Sequence, residues 1–175
     1  MSIREFKGIR PLLGEGAWVD GQAAVIGDVV LGDEVSVWPC AVIRGDVAPI
    51  RIGARSNIQD GAIIHATHDG IYTPGGRGTT VGCDVTVGHG AILHACEVGN
   101  EVLIGMHATV LDGAVIPDHC LIAAGSLVPP GKRLESGYLY MGNPVRKVRP
   151  LDEREMAFFA YSAVHYIKLM QGHQP

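Results

Sequence analysis

Aliphatic residues recur every six positions along most of this chain, and that period constrains the fold more than any other feature. Leu31, Val37 and Ile43 are followed by Ile52, Ile58 and Ile64, and then by Val81, Val87 and Leu93. A five-residue step leads to Val98, and the rhythm resumes through Ile104, Val110, Ile116, Ile122 and Val128. The next position is often glycine, as at Gly32, Gly53, Gly82, Gly88, Gly99 and Gly105. Three positions beyond it sits a small or short side chain: Val35, Ala41, Val47, Ser56, Ala62, Val85, Ala91, Val102, Ala108, Ala114, Cys120 and Ser126. A helix repeats at 3.6 residues and a half-buried strand at two, so neither explains a period of six. A short strand plus a corner does. The large aliphatic points inward and the small residue fills the inside of the bend, which is the hexapeptide β-helix pattern. Three such sides make a coil of ~18 residues, and successive coils stack at the usual strand spacing of ~4.8 Å. The expected fold is therefore an all-β solenoid, a parallel β-helix shaped as a triangular prism. The 24 glycines and the low aromatic content of 6% suit its many tight corners.

The rhythm breaks in three places. Ile43 to Ile52 spans nine positions and includes Pro49. Ile64 to Val81 spans seventeen and holds Tyr72-Thr73-Pro74-Gly75-Gly76-Arg77-Gly78, a loop composition. Leu93 to Val98 is one residue short. Insertions in solenoids leave at corners and often mark the functional face. Pro129-Pro130-Gly131 ends the stack, and Asn143-Pro144 marks a further turn. Asp152 with Glu155 three residues on reads as a capping box. Met156, Phe159, Ala160, Ala163, Ile167 and Met170 follow at helical spacing, so one amphipathic helix should lie along the prism. The expected organisation is an N-terminal segment 1–13, the β-helix 14–130 with a loop insertion 66–80, a connecting segment 131–150, and a C-terminal helix and tail 151–175.

The net charge of −4 argues against nucleic acid or an anionic membrane as the main partner. No apolar run reaches the ~18 residues of a membrane span. The N-terminal stretch has no apolar segment behind its charges, which points to a cytoplasmic protein. Cys40, Cys83, Cys96 and Cys120 form no Cys-x-x-Cys pair and read as free thiols.

Repeat phase places three of the eight histidines. His65 and His94 each follow an inward aliphatic on the same side, one coil apart, and Arg44 occupies the same column one coil earlier. Two imidazoles ~4.8 Å apart can converge on one metal, whose bonds to nitrogen are ~2.0–2.1 Å. His89 follows Val87 by two positions and shares a different column with Asp60. A site using all three histidines must therefore lie between subunits. His107, His119, His165 and His173 read as ordinary solvated side chains.

Arg44-Gly45-Asp46, Asn57-Ile58-Gln59-Asp60-Gly61, Ile64-His65 and Gly88-His89-Gly90-Ala91-Ile92-Leu93-His94 together resemble the signature of the γ-class carbonic anhydrase family. The likeness runs from about Gly14 into the C-terminal helix. It implies a left-handed β-helix and a homotrimer with three interfacial metal sites, each built by His65 and His94 of one subunit and His89 of its neighbour. It implies Zn2+ as the metal, with Fe2+ or Co2+ as further options suited to imidazole. It implies Gln59 beside the metal-bound water, and an Arg44 clasp to Asp60 or Asp46 across the interface, with Asn57 in the same structural set. The implied reaction is reversible hydration of carbon dioxide to bicarbonate by a metal-bound hydroxide. Zinc held by three histidines in carbonic anhydrase brings its bound water to a pKa near ~7. The family's archaeal prototype moves protons through loop glutamates, whereas residues 66–80 contain none. His68 is the titratable substitute there. Tyr161 matches a helix tyrosine that related bacterial proteins bring near the site. Acyl-CoA thioester hydrolysis or acyl transfer on the same scaffold, and a non-catalytic metal-stabilised assembly module, are the alternative functions.

Overall fold

The computed structural model describes residues 2–173; Met1 and the last two residues of the expected tail, 174–175, lie outside the described residues. The chain winds into a left-handed parallel β-helix with one C-terminal helix. Its first face stacks Trp18–Val19, Ser36–Val37, Asn57–Ile58, Thr86–Val87, Leu103–Ile104, Leu121–Ile122 and Tyr138–Gly142 in parallel register. The second face carries Ile63–His65, Ile92–His94, Thr109–Val110 and Leu127–Val128, and the third carries Thr79–Val81, Glu97–Val98 and Val115–Ile116. Two long strands, Ala24–Leu31 and Val42–Ile52, turn the corner without interruption and fuse the second and third faces into one 11-stranded sheet.

Every aliphatic of the six-residue series is buried, and the register pairs them as the period requires: Leu31, Ile52, Val81, Val98 and Ile116 on one face, Val37, Ile58, Val87, Ile104 and Ile122 on another, Ile43, Ile64, Leu93, Val110 and Val128 on the last. Each stacks on its like, so the interior is a column of packed aliphatic layers. The small corner residues are buried too, except Val47, which is 41% exposed. Val47 sits in the nine-residue break, where the strand bulges and Ile50 takes the inward place. Glycine follows the aliphatic because coil backbones approach closely there: a Cβ on Gly53 would lie 2.6 Å from the carbonyl carbon of Gly82.

The ladder extends beyond the span expected from the repeat. Ile3–Arg4 pairs with Val25–Ile26, and Leu12–Leu13 with Val30–Leu31, so the N-terminal segment already forms rungs. The sequence carried that signal, since Leu13, Val19, Val25 and Leu31 keep the six-residue step. At the other end Tyr138–Gly142 still pairs with Leu121–Ile122, and folds back through the Asn143–Pro144 turn onto Val145–Pro150 as a hairpin. Tyr140 is the inward residue of that rung, with its hydroxyl bonded to the Glu135 backbone. An aromatic with a polar tip hid this coil from an aliphatic count.

The helix spans Glu153–Gln171, and both bonds of the Asp152/Glu155 capping box are present. Arg149 grips the Glu155 carboxylate through two nitrogens, at 2.7 and 2.8 Å. Those bonds and the capping contact hold Glu155 at a pKa of about 2. Phe159, Ser162, Ala163 and Met170 face the prism, whereas Ala160 is exposed. The helix covers the first face. At its far end His173 packs against Trp18 and Trp38, with ring centroids 5.7 and 5.4 Å away. His119 bonds Glu101 at 3.1 Å, so neither of these two histidines is merely solvated. All four cysteines are free thiols, with burial raising Cys96 to about 12 and Cys120 to about 11.

Candidate metal centre

His65 and His94 are paired residues of adjacent rungs on the second face. Their rings lie 5.2 Å apart between centroids, with His65 Nδ1 and His94 Nε2 facing each other at 3.2 Å. Carboxylates hold both outer nitrogens. Asp46 Oδ1, from the coil before, is 3.1 Å from His65 Nε2, and Asp112 Oδ2, from the coil after, is 2.9 Å from His94 Nδ1. The second oxygen of each acid is also held: Arg44 Nη1 donates to Asp46 Oδ2 at 2.5 Å, and the Thr67 hydroxyl donates to Asp112 Oδ1. The result is one continuous line along the prism edge, Arg44–Asp46–His65–His94–Asp112–Thr67.

This line determines where the protons sit. An ionised carboxylate only accepts, so His65 Nε2 and His94 Nδ1 carry the hydrogens. Burial raises the carboxyl pKa of Asp46, but hydrogen bonds from Arg44 and His65 and the Arg44 charge outweigh it, leaving a net lowering. Burial is likewise overcome at Asp112 by bonds from Thr67 and His94. The inner nitrogens therefore present lone pairs to each other. Burial lowers the His65 pKa and the nearby Arg44 charge adds to this, against the pull of Asp46, so His65 favours its neutral form. Two lone pairs at 3.2 Å repel unless a proton or a metal ion lies between them. Two imidazoles on a tetrahedral metal with ~2.0–2.1 Å bonds have nitrogens about 3.3 Å apart. A neutral His65, carboxylate-fixed tautomers and this separation all fit an N-ligated divalent metal.

His89 lies at the opposite edge of the second face, in the corner after Val87. Its Nδ1 is 2.9 Å from Asp60 Oδ2, a close carboxylate contact without the aligned hydrogen bond that the other two rings make. It does not join the pair. Among the described residues no group of three His, Cys, Asp or Glu side chains converges on a metal position within one chain.

Gln59 and Asn57 are buried beside His89. The His89 backbone N–H donates to Gln59 Oε1 at 3.2 Å, which orients the amide. Gln59 Nε2 then donates to Asn57 Oδ1, and Asn57 Nδ2 to Thr86 Oγ1, each at 3.0 Å. Thr86 pairs at 2.7 Å with Ser162 of the helix. Asn57 thus lies in a buried relay rather than on an exposed surface. Arg44 pairs with Asp46 of its own chain, and Asp60 is taken by His89, so within the chain the expected clasp is closed internally. His68 is exposed at the base of the 66–80 loop, next to Thr67, and that loop is closed by paired Thr67 and Arg77 backbones. Tyr161 is 64% exposed on the outer side of the helix, between Phe158 and His165. Asp112 and Thr67 were not anticipated from the sequence. Asp112 lies two positions after the inward Val110, one place beyond the column of His65 and His94, which Leu111 occupies in that coil, so column counting alone does not single it out.

No helix among the described residues is long and apolar enough to cross a membrane. The family described as bacterial transferase hexapeptide (six repeats) matches residues 10–45. Protein YrdA of Escherichia coli is 51% identical over 98% of this chain and 96% of its own length. Gamma carbonic anhydrase 1, mitochondrial, of Arabidopsis thaliana is 42% identical over 93% of this chain, which spans 59% of that longer protein. The crystal structure of a hexapeptide transferase family protein from Anaplasma phagocytophilum superposes with a TM-score of 0.90 at 37% identity, covering 98% of both chains. The chain belongs to the hexapeptide-repeat family and is similar over most of its own length to YrdA and to mitochondrial gamma carbonic anhydrases.

Proposed function

We propose that this protein is a cytoplasmic, metal-dependent carbonic anhydrase-like enzyme that interconverts carbon dioxide and bicarbonate as a homotrimer. The observation that carries the reading is the facing ring nitrogens of His65 and His94, 3.2 Å apart, each ring backed by a carboxylate. His65 and His94 of one subunit and His89 of the next would hold Zn2+, with Fe2+ or Co2+ as alternatives. When bound, such a metal supplies Lewis acidity and makes water nucleophilic at neutral pH.

The chain's own residues do the rest. Asp46 and Asp112 accept the outer hydrogens of His65 and His94 and keep their inner nitrogens free, while the Asp60 carboxylate stands beside His89 Nδ1. Gln59, oriented by the His89 backbone, directs its remaining amide N–H towards the substrate. Arg44 fixes Asp46, and its other guanidinium nitrogens reach for a neighbouring subunit. His68 carries the released proton from the loop edge to solvent. Tyr161 would act only where a neighbour's site meets its helix.

Three faces of different character support the trimer. The helix covers the first, and the third presents Arg51, Thr80 and Glu97 in one outward column. The second presents Val42, Ile63, Ile92, Thr109 and Leu127, with Ile63 41% exposed. His65 and His94 edge that apolar face on one side and His89 on the other, so self-association through it brings unlike edges together. Metal analysis, mass in solution and carbon dioxide hydration on one anaerobic sample test the reading. Near-stoichiometric metal in a trimer, lost in His65→Ala, His89→Ala and His94→Ala together with hydration, is expected. Metal without hydration favours an assembly module. A similar Bacillus cereus structure, 35% identical, is described as a putative acetyltransferase, which supports acyl transfer as a second reading, the one that a metal-free, hydration-inactive trimer would favour.

A further inference from the structure

A cleft of about 350 Å3 opens between the first face and the C-terminal helix, directly beside His89 and Gln59. It exists because of one column. Gln59 is followed in the next coils by Gly88, Gly105 and Ala123, each the outward position after an inward aliphatic. Gly88 and Gly105 are held at glycine by coil stacking, since a Cβ would lie 2.8 Å from the Ile104 carbonyl oxygen or 2.5 Å from the Ala124 nitrogen. The surface beneath the helix therefore lacks side chains over two coils. Leu103, Leu121, Met106, Phe158 and Tyr166 wall the hollow. Met106 and Phe158 are exposed at its rim.

The polar groups at the inner end are already committed. Ser162 and Thr86 satisfy each other, and Asn57 holds one Gln59 hydrogen. No Lys or Arg lines the cleft, and Asp60 stands behind His89. A carboxylate would enter without a counter-charge, which burial disfavours. On the metal reading His89 Nε2 is also occupied, and the second Gln59 N–H is the amide donor left at that end, with the Tyr166 hydroxyl also in the lining. We propose that this cleft binds an uncharged carbonyl compound with an alkyl or aryl body, its carbonyl oxygen accepting from Gln59 Nε2. One water takes about 30 Å3 of liquid, so the space suits on the order of ten non-hydrogen atoms, far more than carbon dioxide needs. The assignment of the carbonyl end rests on the proposed metal site; the apolar cleft itself belongs to one chain.

Calorimetric titration tests this with two ligands of matched size, benzylacetone (uncharged ketone) and hydrocinnamate (carboxylate), on protein as purified and after chelation. Benzylacetone should bind both samples. Hydrocinnamate should bind the chelated protein at least about a hundredfold more weakly. Ala123→Trp fills the hollow and Leu121→Gln makes its wall polar; each should weaken benzylacetone about tenfold or more. Absence of benzylacetone binding, equal affinity for both ligands in the chelated protein, or indifference to both variants would overturn the proposal. Failure of the metal reading shows itself separately, as purified protein without metal that still binds benzylacetone.

Discussion

Replacing Asp112 with alanine tests the site where it is least obvious. Asp112 touches no substrate and lies outside the histidine motifs. Its Oδ2 fixes the hydrogen on His94 Nδ1 at 2.9 Å, and Thr67 holds its other oxygen. Without the carboxylate, His94 is free to rotate and to place its hydrogen on Nε2, the nitrogen that faces His65. Loss of such a partner lowers metal affinity 10- to 100-fold, about 1.4–2.7 kcal/mol. The effect on folding should be far smaller. The Asp112 side chain is 44% exposed, so its hydrogen bond with His94 is screened by solvent and worth less than about 1 kcal/mol. Chelator competition on wild type and Asp112→Ala, with urea denaturation of the metal-free forms, separates the two quantities. Thr67→Val should show a weaker loss in the same direction. Unchanged metal affinity in Asp112→Ala, while His65→Ala abolishes binding, would refute the idea that carboxylates fix the imidazole tautomers.

Three further outcomes follow from the same geometry. Leu93→Ala, fully buried in its aliphatic stack, should cost about 2–5 kcal/mol in urea denaturation. Ile63→Asp, on the uncovered apolar face, should leave the fold intact by circular dichroism and lower the mass measured by light scattering; an unchanged trimer would move the interface elsewhere. An unfolded histidine protonates near pH ~6.5, and partly buried His65 does so only at lower pH. The metal-free protein should therefore lose stability as pH falls below that value and stay level above it, and His65→Gln should flatten the slope.

The six-residue period was enough to specify the coil, because each face needs one inward aliphatic per step and the stacking repeats that need. It also ranked His65, His94 and Arg44 into one column and set His89 apart, since register in a solenoid is arithmetic. The same arithmetic stopped where side chains depart from the aliphatic rule. Tyr140 builds a rung with an aromatic, and Leu13, Val19 and Val25 keep the step through a less regular first coil. Val47 fails because a bulged break shifts the inward place to Ile50.

What only the tertiary structure decided is how side chains from different coils meet at a corner. Asp46 and Asp112 flank the histidine pair from the coils on either side, and Thr67 reaches Asp112 across a gap of 45 residues. No linear spacing encodes those contacts, because they depend on where the inserted loop leaves the prism and returns. The sequence alone determined the helix and its capping box, since local hydrogen bonding and apolar spacing specify both. That its Ser162 closes a buried relay running back to His89, and that it roofs a cleft over two glycine positions, depends on how the helix docks along the first face, which is set by packing across coils.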